Sequence, residues 1–504
     1  MTACLMIQGT GSHVGKSILA AGFCRILADR GYKVAPFKSQ NMSLNSAVTI
    51  DGGEIARAQE LQARGARVEP SVLMNPVLLK PKDAERCEVI MLGKSIGDFT
   101  PKQYLYDVRE RALRVIKDSL ENLREEFELV VIEGGGSPAE VNLRELDLCN
   151  MKVAEMAGAP VLLVADIDTG GALASVVGTF ALLNESERKR IKGIIINKFR
   201  GDLELLEPAL PFLETKTGCK VLGVLPFIDC SYLDEEDTLS DYGTAMGEAA
   251  VIKLPYLSNF TDFEPLSREL PLKWAKRPED LDGAKVVIIP GTRNTMHDLA
   301  WLKENGFADS IKARAADGTI IIGICGGYQM LGEKLIDSGG VESGGGEHEG
   351  LCILPITTRY ERPKSTNQVT AKVVEEIPAL PGLVGTRLQG YEIHTGRVEV
   401  RGATCPLLFK SGGESTPDGA ISTDGRVFGT HLHGLFDNQE VIKALLSSLE
   451  KSGPAGRYRE LAEQNIARLA RVMEESLDME YVYDLLEIQP DGQEVNRLFE
   501  MRSR

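Results

Sequence analysis

The sequence predicts an α/β protein of two doubly wound, mostly parallel-sheet domains followed by a helical C-terminal segment. Three observations carry that prediction. Apolar runs of strand length alternate with amphipathic stretches, glycines cluster where those runs end, and the 504-residue chain is too long for one core. In the first half the strand-like runs are CLMIQ near the start, ELVVIEGGG at 128–136, PVLLVAD at 160–166, GIIINK at 193–198 and VLGVLP at 221–226. They are continuously apolar rather than alternating, which marks strands buried on both faces under helices. The helix after the first strand is legible because Leu19, Phe23, Ile26 and Leu27 share one face and Gly31 can end it.

Strand-like runs resume with KVVIIPGTRNT at 285–295, TIIIGICGGYQM at 319–330 and RVFGTHLHGLF at 426–436. The expected division is a nucleotide-handling domain at 1–240, a second open α/β domain at 250–447 and a helical extension at 448–504. The acidic SYLDEEDTLSDYG at 231–243 reads as a solvated connection or a cover over the first site. The extension, charged and helical, shows no chemistry; it is expected to cap the second domain or to join an oligomer interface.

A formal charge of −16 disfavours non-specific attraction to nucleic acid or to an anionic membrane, so any anionic ligand needs a local site. None of the nine cysteines forms a CxxC, and His and Cys never fall together at zinc-ligand spacing. The N-terminal MTACLMIQGTG has no basic region and too short an apolar stretch for a signal core or a span. The expectation is a cytoplasmic protein with reduced thiols, acting on small molecules, with no nucleic-acid or membrane partner.

Between the first strand and its helix lies GTGSHVGKS, residues 9–17. Backbone amides of such a loop and the helix start surround a polyphosphate, with Lys16 at the terminal phosphates and Ser17 on Mg²⁺. The strict spacing wants glycine where Thr10 stands and Gly9 comes one place early, so this is a variant loop; Gly15 keeps its place before Lys16. A Mg²⁺–nucleotide site usually takes a carboxylate from another strand end, and Glu133 is the candidate. Asn197, in GIIINK, is the candidate for contact with the base, and Lys38, beyond KVAPF, for the transferred phosphoryl group or a substrate carboxylate. Asp51, Glu54 and Asp168 are candidate second magnesium ligands or substrate contacts, and the family resemblance of EIARAQ given below ranks Glu54 first.

In TIIIGICGGYQM a strand turns sharply through Cys325 into a helix, which exposes the thiol at the sheet edge. Gly326 and Gly327 are expected to let a substrate approach the backbone, and the helix start to lower the thiol pKa. Two histidines of GTHLHG, His431 and His433, are candidate bases on a late strand, both facing one side.

These motifs resemble known families. The phosphate loop, EGGGSPAE and NKFRGD are similar to the dethiobiotin synthetase-like ATPases. GICGGYQ resembles the nucleophile elbow of flavodoxin-like class I glutamine amidotransferases, and PGTRNT their oxyanion-hole loop. That resemblance implies Cys325 and His433 as catalytic, His433 because it follows an apolar and precedes a small residue; it implies Gly291, Gly326, Tyr328 and Gln329 at the oxyanion hole or the glutamine site. Most of the class carries a glutamate two residues after the histidine, but position 435 is Leu, so the group orienting His433 is left open. Glu392 and His394 of GYEIHTG are open to a cleft or a packing role.

Over essentially the whole chain, PFKSQNMSLNS, EIARAQELQA, MNPVLLKP, ADIDTGG and LSNFTDFEPL look like the cobyric acid synthase family. The resemblance implies ATP- and glutamine-dependent amidation of the b, d, e and g carboxylates of adenosylcobyrinic acid a,c-diamide, through an acyl phosphate and glutamine-derived ammonia. It implies ATP and Mg²⁺, and cobalt carried by the corrinoid with no protein ligand. The alternatives are a cobyrinic acid a,c-diamide synthase or another two-domain amide ligase, and a P-loop regulatory protein with an inactive second domain.

Overall fold

The computed structural model describes residues 2–82, 85–228, 247–342, 345–402, 404–411, 413–451 and 458–489. The acidic segment at 231–243, expected to connect the halves, lies outside the described residues.

In the first half a six-stranded, all-parallel sheet runs in the order Lys220–Pro226, Ile191–Phe199, Val161–Asp166, Ala3–Gly9, Leu129–Glu133, Val34–Phe37. Its strands are those read from the apolar runs, and alternation sends successive residues to opposite cores. Cys4 and Met6 join Val130, Ile132, Ile116 and Leu120 on one face, while Leu5 and Ile7 join Leu129, Val131, Phe23 and Leu27 on the other. Glu133 and Asn197 lie at or near the C-terminal ends of their strands, beside the phosphate loop, where open α/β sheets bind ligands.

Between the second and third strands of the chain the polypeptide leaves this sheet. It makes a four-stranded sheet in the order Gln40–Met42, Val77–Pro81, Cys87–Met91, Lys94–Phe99, and a two-stranded hairpin of Ser46–Val48 with Glu54–Ala56. The hairpin runs into the helix Arg57–Gly65. This excursion carries residues of the first half to the second.

A second sheet has the order Leu272–Ala275, Ala249–Ile252, Val286–Ile289, Ile320–Ile324, Val427–Thr430, Ala420–Ile421; only the last pair is antiparallel. A mixed sheet, not anticipated, flanks it. Its main component is an antiparallel pairing of Ile356–Val373 with Arg387–Val400, whose polar and aromatic residues hide the period-two signal.

The C-terminal helices sit differently from expectation. Tyr458–Ser476 and Met479–Leu486 do not cap the second domain; Ile466, Leu469, Met473, Val482 and Leu486 pack with Phe23 and Leu27 in the core of the first sheet. Met473 Sδ fills the space over Gly22 where a side chain would stand, and Arg25 pairs with Glu463 across the contact. Each such apolar side chain contributes roughly 1.5–3 kcal/mol by leaving water. That face of the helix Lys16–Asp29 would otherwise be wet.

No helix among the described residues is long and apolar enough to cross a membrane.

Candidate functional site

Two centres are built at the C-terminal edges of the two parallel sheets. At the first, Gly15 adopts φ 98°, a left-handed conformation that glycine takes without strain, and the helix Lys16–Asp29 starts directly after it. Lys16 Nζ donates to Gly11 O (2.7 Å) and Gly136 O (3.2 Å), so it closes over the loop. Thr10 N–H donates to Val164 O, which ties the variant position to the neighbouring strand. The side chain of Gly9 is absent for a packing reason, since a Cβ would stand 2.5 Å from Val14 Cγ2.

Glu133, fully buried, is the hub of this centre. Its Oε1 accepts from Ser17 Oγ (2.8 Å) and Lys38 Nζ (2.9 Å), and its Oε2 from Gln59 Nε2 (3.2 Å) and Gln62 Nε2 (2.6 Å). The structure thus brings Lys16, Ser17, Lys38 and Glu133 together. Gln59 and Gln62 went unread, although their three-residue spacing in EIARAQELQA puts them on one helix face. Asn197 braces the loop, its Nδ2 donating to Val14 O at 2.8 Å, and Lys198 Nζ donates to His13 O at 2.6 Å.

Glu54 is held by donors of the protein itself. Its Oε1 accepts from Ser46 Oγ and Lys80 Nζ and its Oε2 from Lys364 Nζ of the other half, so three donors hold the carboxylate that was expected to bind metal. Burial alone would raise its pKa; the charges of Lys364 and Lys80 outweigh that and hold it down to about 2. Asp51 accepts from Thr49 in the hairpin turn, and Asp168 pairs with Arg200; neither joins Glu133.

At the second centre Cys325 takes φ 51° and ψ −109°, a strained conformation for a residue with a side chain, at the turn from Ile320–Ile324 into Gly326–Met330. The thiol donates to Ile393 O (3.5 Å), and His433 stands on the same side of Gly291 as Cys325, close enough to act on it. The orienting group left open by Leu435 is Asp262, whose Oδ2 lies 2.7 Å from His433 Nδ1 while Oδ1 accepts from Gly434 N–H. Asp262 belongs to LSNFTDFEPL, 171 residues away in sequence, and nothing local marks it as a partner of His433.

Burial pushes the Cys325 thiol up, but the hydrogen bond and charge of His433, with the charge of His394, prevail and leave it below the ordinary thiol value. Burial likewise opposes an imidazolium at His433; the charge and hydrogen bond of Asp262 and the contact with Cys325 hold it up to about 10. The two shifts have a shared cause, each group favouring the charged form of the other.

The glycines after Cys325 also serve the packing of the elbow. A Cβ on Gly327 would lie 2.0 Å from Ile289 O, and one on Gly326 2.6 Å from Thr292 Cγ2, so both admit the close approach of the 289–292 segment, while Gly326 also lines the cavity at Cys325. That approach sets Gly291 beside the pair: a Cβ there would meet His433 Cε1 at 3.1 Å and Cys325 Cβ at 3.8 Å.

Tyr328 follows the two glycines of the elbow. Its ring packs edge-on to His431 and against Gly429 in the core, not in the cavity that holds Cys325. Gln329 does line that cavity; its Oε1 accepts from Tyr360 Oη (2.9 Å) and its Nε2 lies 3.1 Å from His431 Nε2. The strand ends at Thr430, so the two histidines lie beyond it and point to different partners. His431 Nδ1 meets Asp418 (2.7 Å), and its ring stacks on His394 at 3.8 Å. Burial and the positive His394 keep His431 below the usual imidazole value. Burial opposes charge at His394 too, but the bond to Glu392 prevails and raises it.

A cavity of about 910 Å³ runs from Cys325, His433 and Gln329 to Glu54, Lys80 and Glu88, so both halves of the chain line it. Arg293 and Lys364 of the second half meet Glu88 and Glu54 of the first there.

A nucleotide-binding α/β domain joined to a thiol-bearing amidotransferase domain is the plan of a glutamine-dependent carbon–nitrogen ligase. Residues 5–238 match the CobQ/CobB/MinD/ParA nucleotide binding domain, and residues 248–441 the CobB/CobQ-like glutamine amidotransferase domain. The chain is 46% identical to a cobyric acid synthase of Pelotomaculum thermopropionicum, the match covering 96% of this chain and 97% of that one. It is 48% identical to one of Desulfitobacterium hafniense, covering 95% and 96%, and 43% identical to one of Salmonella choleraesuis, covering 97% and 99%. The chain belongs to the cobyric acid synthase family, and it is a glutamine-dependent amide ligase that uses ATP.

Proposed function

We propose that the chain amidates the b, d, e and g carboxylates of adenosylcobyrinic acid a,c-diamide, using ATP and glutamine, to give adenosylcobyric acid. The observation that carries the reading is the single cavity shared by the thiol centre and the first half of the chain. Cys325 thiolate attacks the glutamine carboxamide carbon; the His433 imidazolium, held by Asp262, gives its proton to the leaving nitrogen. Ammonia departs and a thioester remains, which water then cleaves to glutamate, with His433 returning as the base. The amides around Gly291 and Gly326 are the donors for the developing oxyanion.

At the nucleotide centre the loop from Gly9 to Ser17 cradles the phosphates, and Lys16 and Lys38 neutralise the γ-phosphoryl group as it passes to a substrate carboxylate. ADP leaves, and ammonia displaces phosphate from the acyl phosphate to form the amide. Ser17 Oγ and Glu133, 2.8 Å apart, are the sparse oxygen set that Mg²⁺ takes beside nucleotide phosphates, and they would hold that ion. Asn197 supports the loop and stands near a bound base. Ammonia is mostly protonated in neutral water, so an enclosed route keeps it nucleophilic. The protein works on small molecules in the cytoplasm, free of nucleic acid and membrane.

The test is incubation of wild type and Cys325→Ala with ATP, Mg²⁺ and the a,c-diamide, with either glutamine or ammonium chloride, followed by mass analysis. The variant is expected to lose amidation from glutamine and to keep it from ammonium. A wild type that amidates only the a and c positions of cobyrinic acid would replace the substrate assignment.

A further inference from the structure

The loop that supplies Asp262 also touches the other half of the chain. Asn259, three residues earlier, donates its N–H to Leu44 O (3.3 Å), and its Oδ1 accepts the N–H of Ser46 (3.0 Å). On its other side Nδ2 lies 3.4 Å from His433 Nδ1, a packing contact, because that Nδ1–H points to Asp262. The carbonyl of Asn259 accepts from Asp262 N–H (3.0 Å), and Ser258 N–H donates to Gly291 O (3.0 Å). One turn therefore ties the group that orients the histidine, the loop beside the sulfur and the Leu44–Ser46 segment. Asn259 itself is held at φ 51°, ψ 43°, a left-handed conformation that asparagine tolerates better than most residues.

The contacts continue inward. Ser46 Oγ donates to Glu54 and accepts from Lys80; the strand Glu54–Ala56 leads straight into the helix whose Gln59 and Gln62 hold Glu133. A bonded path thus runs from the phosphate centre to His433, through a hairpin that belongs to the first half.

We propose that Asn259 is a positioning residue of the thiol centre, holding Asp262 and His433 in register while the Leu44–Ser46 segment is seated against it. Occupancy of the nucleotide centre is then felt at the sulfur through Ser46 and Asn259. This rests on the two-centre reading of the preceding subsection. It adds to that reading the residue through which the centres communicate.

The experiment measures glutamate release with and without ATP, Mg²⁺ and the a,c-diamide in the full chain. Wild type is expected to be stimulated about fivefold or more, and Asn259→Gly, which keeps the backbone conformation but lacks Oδ1, by less than about twofold. The loss is expected in kcat rather than in KM for glutamine, with ammonium-driven amidation within about twofold of wild type. Asn259→Asp, which keeps an acceptor for Ser46 N–H, is expected to recover most of the stimulation. Equal stimulation in wild type and Asn259→Gly overturns the proposal. So does a parallel fall of both glutamate release and ammonium-driven amidation, which marks a merely structural residue. If Asn259→Gly does not fold, Ser46→Ala is the deciding variant: it frees the segment from Glu54 and Lys80, and unchanged stimulation in it overturns the proposal. A wild type that amidates from ammonium but shows no stimulation sinks this inference alone; one that cannot amidate from ammonium sinks the proposed function.

Discussion

Asp262 Oδ2 lies 2.7 Å from His433 Nδ1, and both side chains are buried. A carboxylate there fixes the tautomer of the imidazole, with Nε2 left to face the sulfur, and stabilises the imidazolium. Asp262→Asn keeps the shape but not the charge. Glutamate release is expected to fall by up to about 10⁴-fold, while amidation from ammonium persists; paired assays of the two nitrogen sources check it.

The same pair sets a pH profile. With the thiol held below its ordinary value and His433 held up to about 10, the thiolate forms at lower pH than in a free cysteine. The rate of Cys325 alkylation by iodoacetamide should therefore reach half its plateau at a lower pH than that of a free cysteine measured alongside. In Asp262→Asn the imidazolium loses its partner, the thiolate loses the imidazolium, and the midpoint moves to higher pH. Rates for the other cysteines, measured in Cys325→Ala, provide the baseline.

Gly327→Ala tests the close approach at the elbow. Its Cβ would stand 2.0 Å from Ile289 O, a backbone atom that cannot rotate away. The turn must shift, and a displacement near 1 Å costs about 10²-fold in a well-oriented reaction. Glutaminase kinetics should show that loss.

At the phosphate centre, Glu133→Gln preserves the hydrogen-bond geometry in outline but removes the charge that faces Lys38 and Ser17. Amidation from ammonium and ATP is expected to fall by at least about 10²-fold. Titration of ATP with and without Mg²⁺ shows whether the metal-dependent part of the affinity is what disappears.

The C-terminal helix is a structural part of the first domain, not of the second. Met473, fully buried against Gly22, should cost about 2–5 kcal/mol when cut to alanine. Urea unfolding followed by fluorescence, compared with nucleotide protection of the first domain, locates the loss.

The sequence by itself determined the two parallel sheets, the phosphate loop and the sharp turn at Cys325. Each is written locally: continuous apolar runs for strands buried on both faces, glycines where a strand gives way to a helix, lysine and serine at the start of that helix. Tertiary structure alone decided which carboxylate serves His433, because Asp262 reaches it across 171 residues and its neighbours carry no periodic signal. It likewise set Glu54 between Lys80 and Lys364, packed the Tyr328 ring against His431, and laid the last helices on the first sheet. A side chain's chemistry depends on which charges and surfaces meet it once the chain has closed. Those meetings join residues that no local pattern relates.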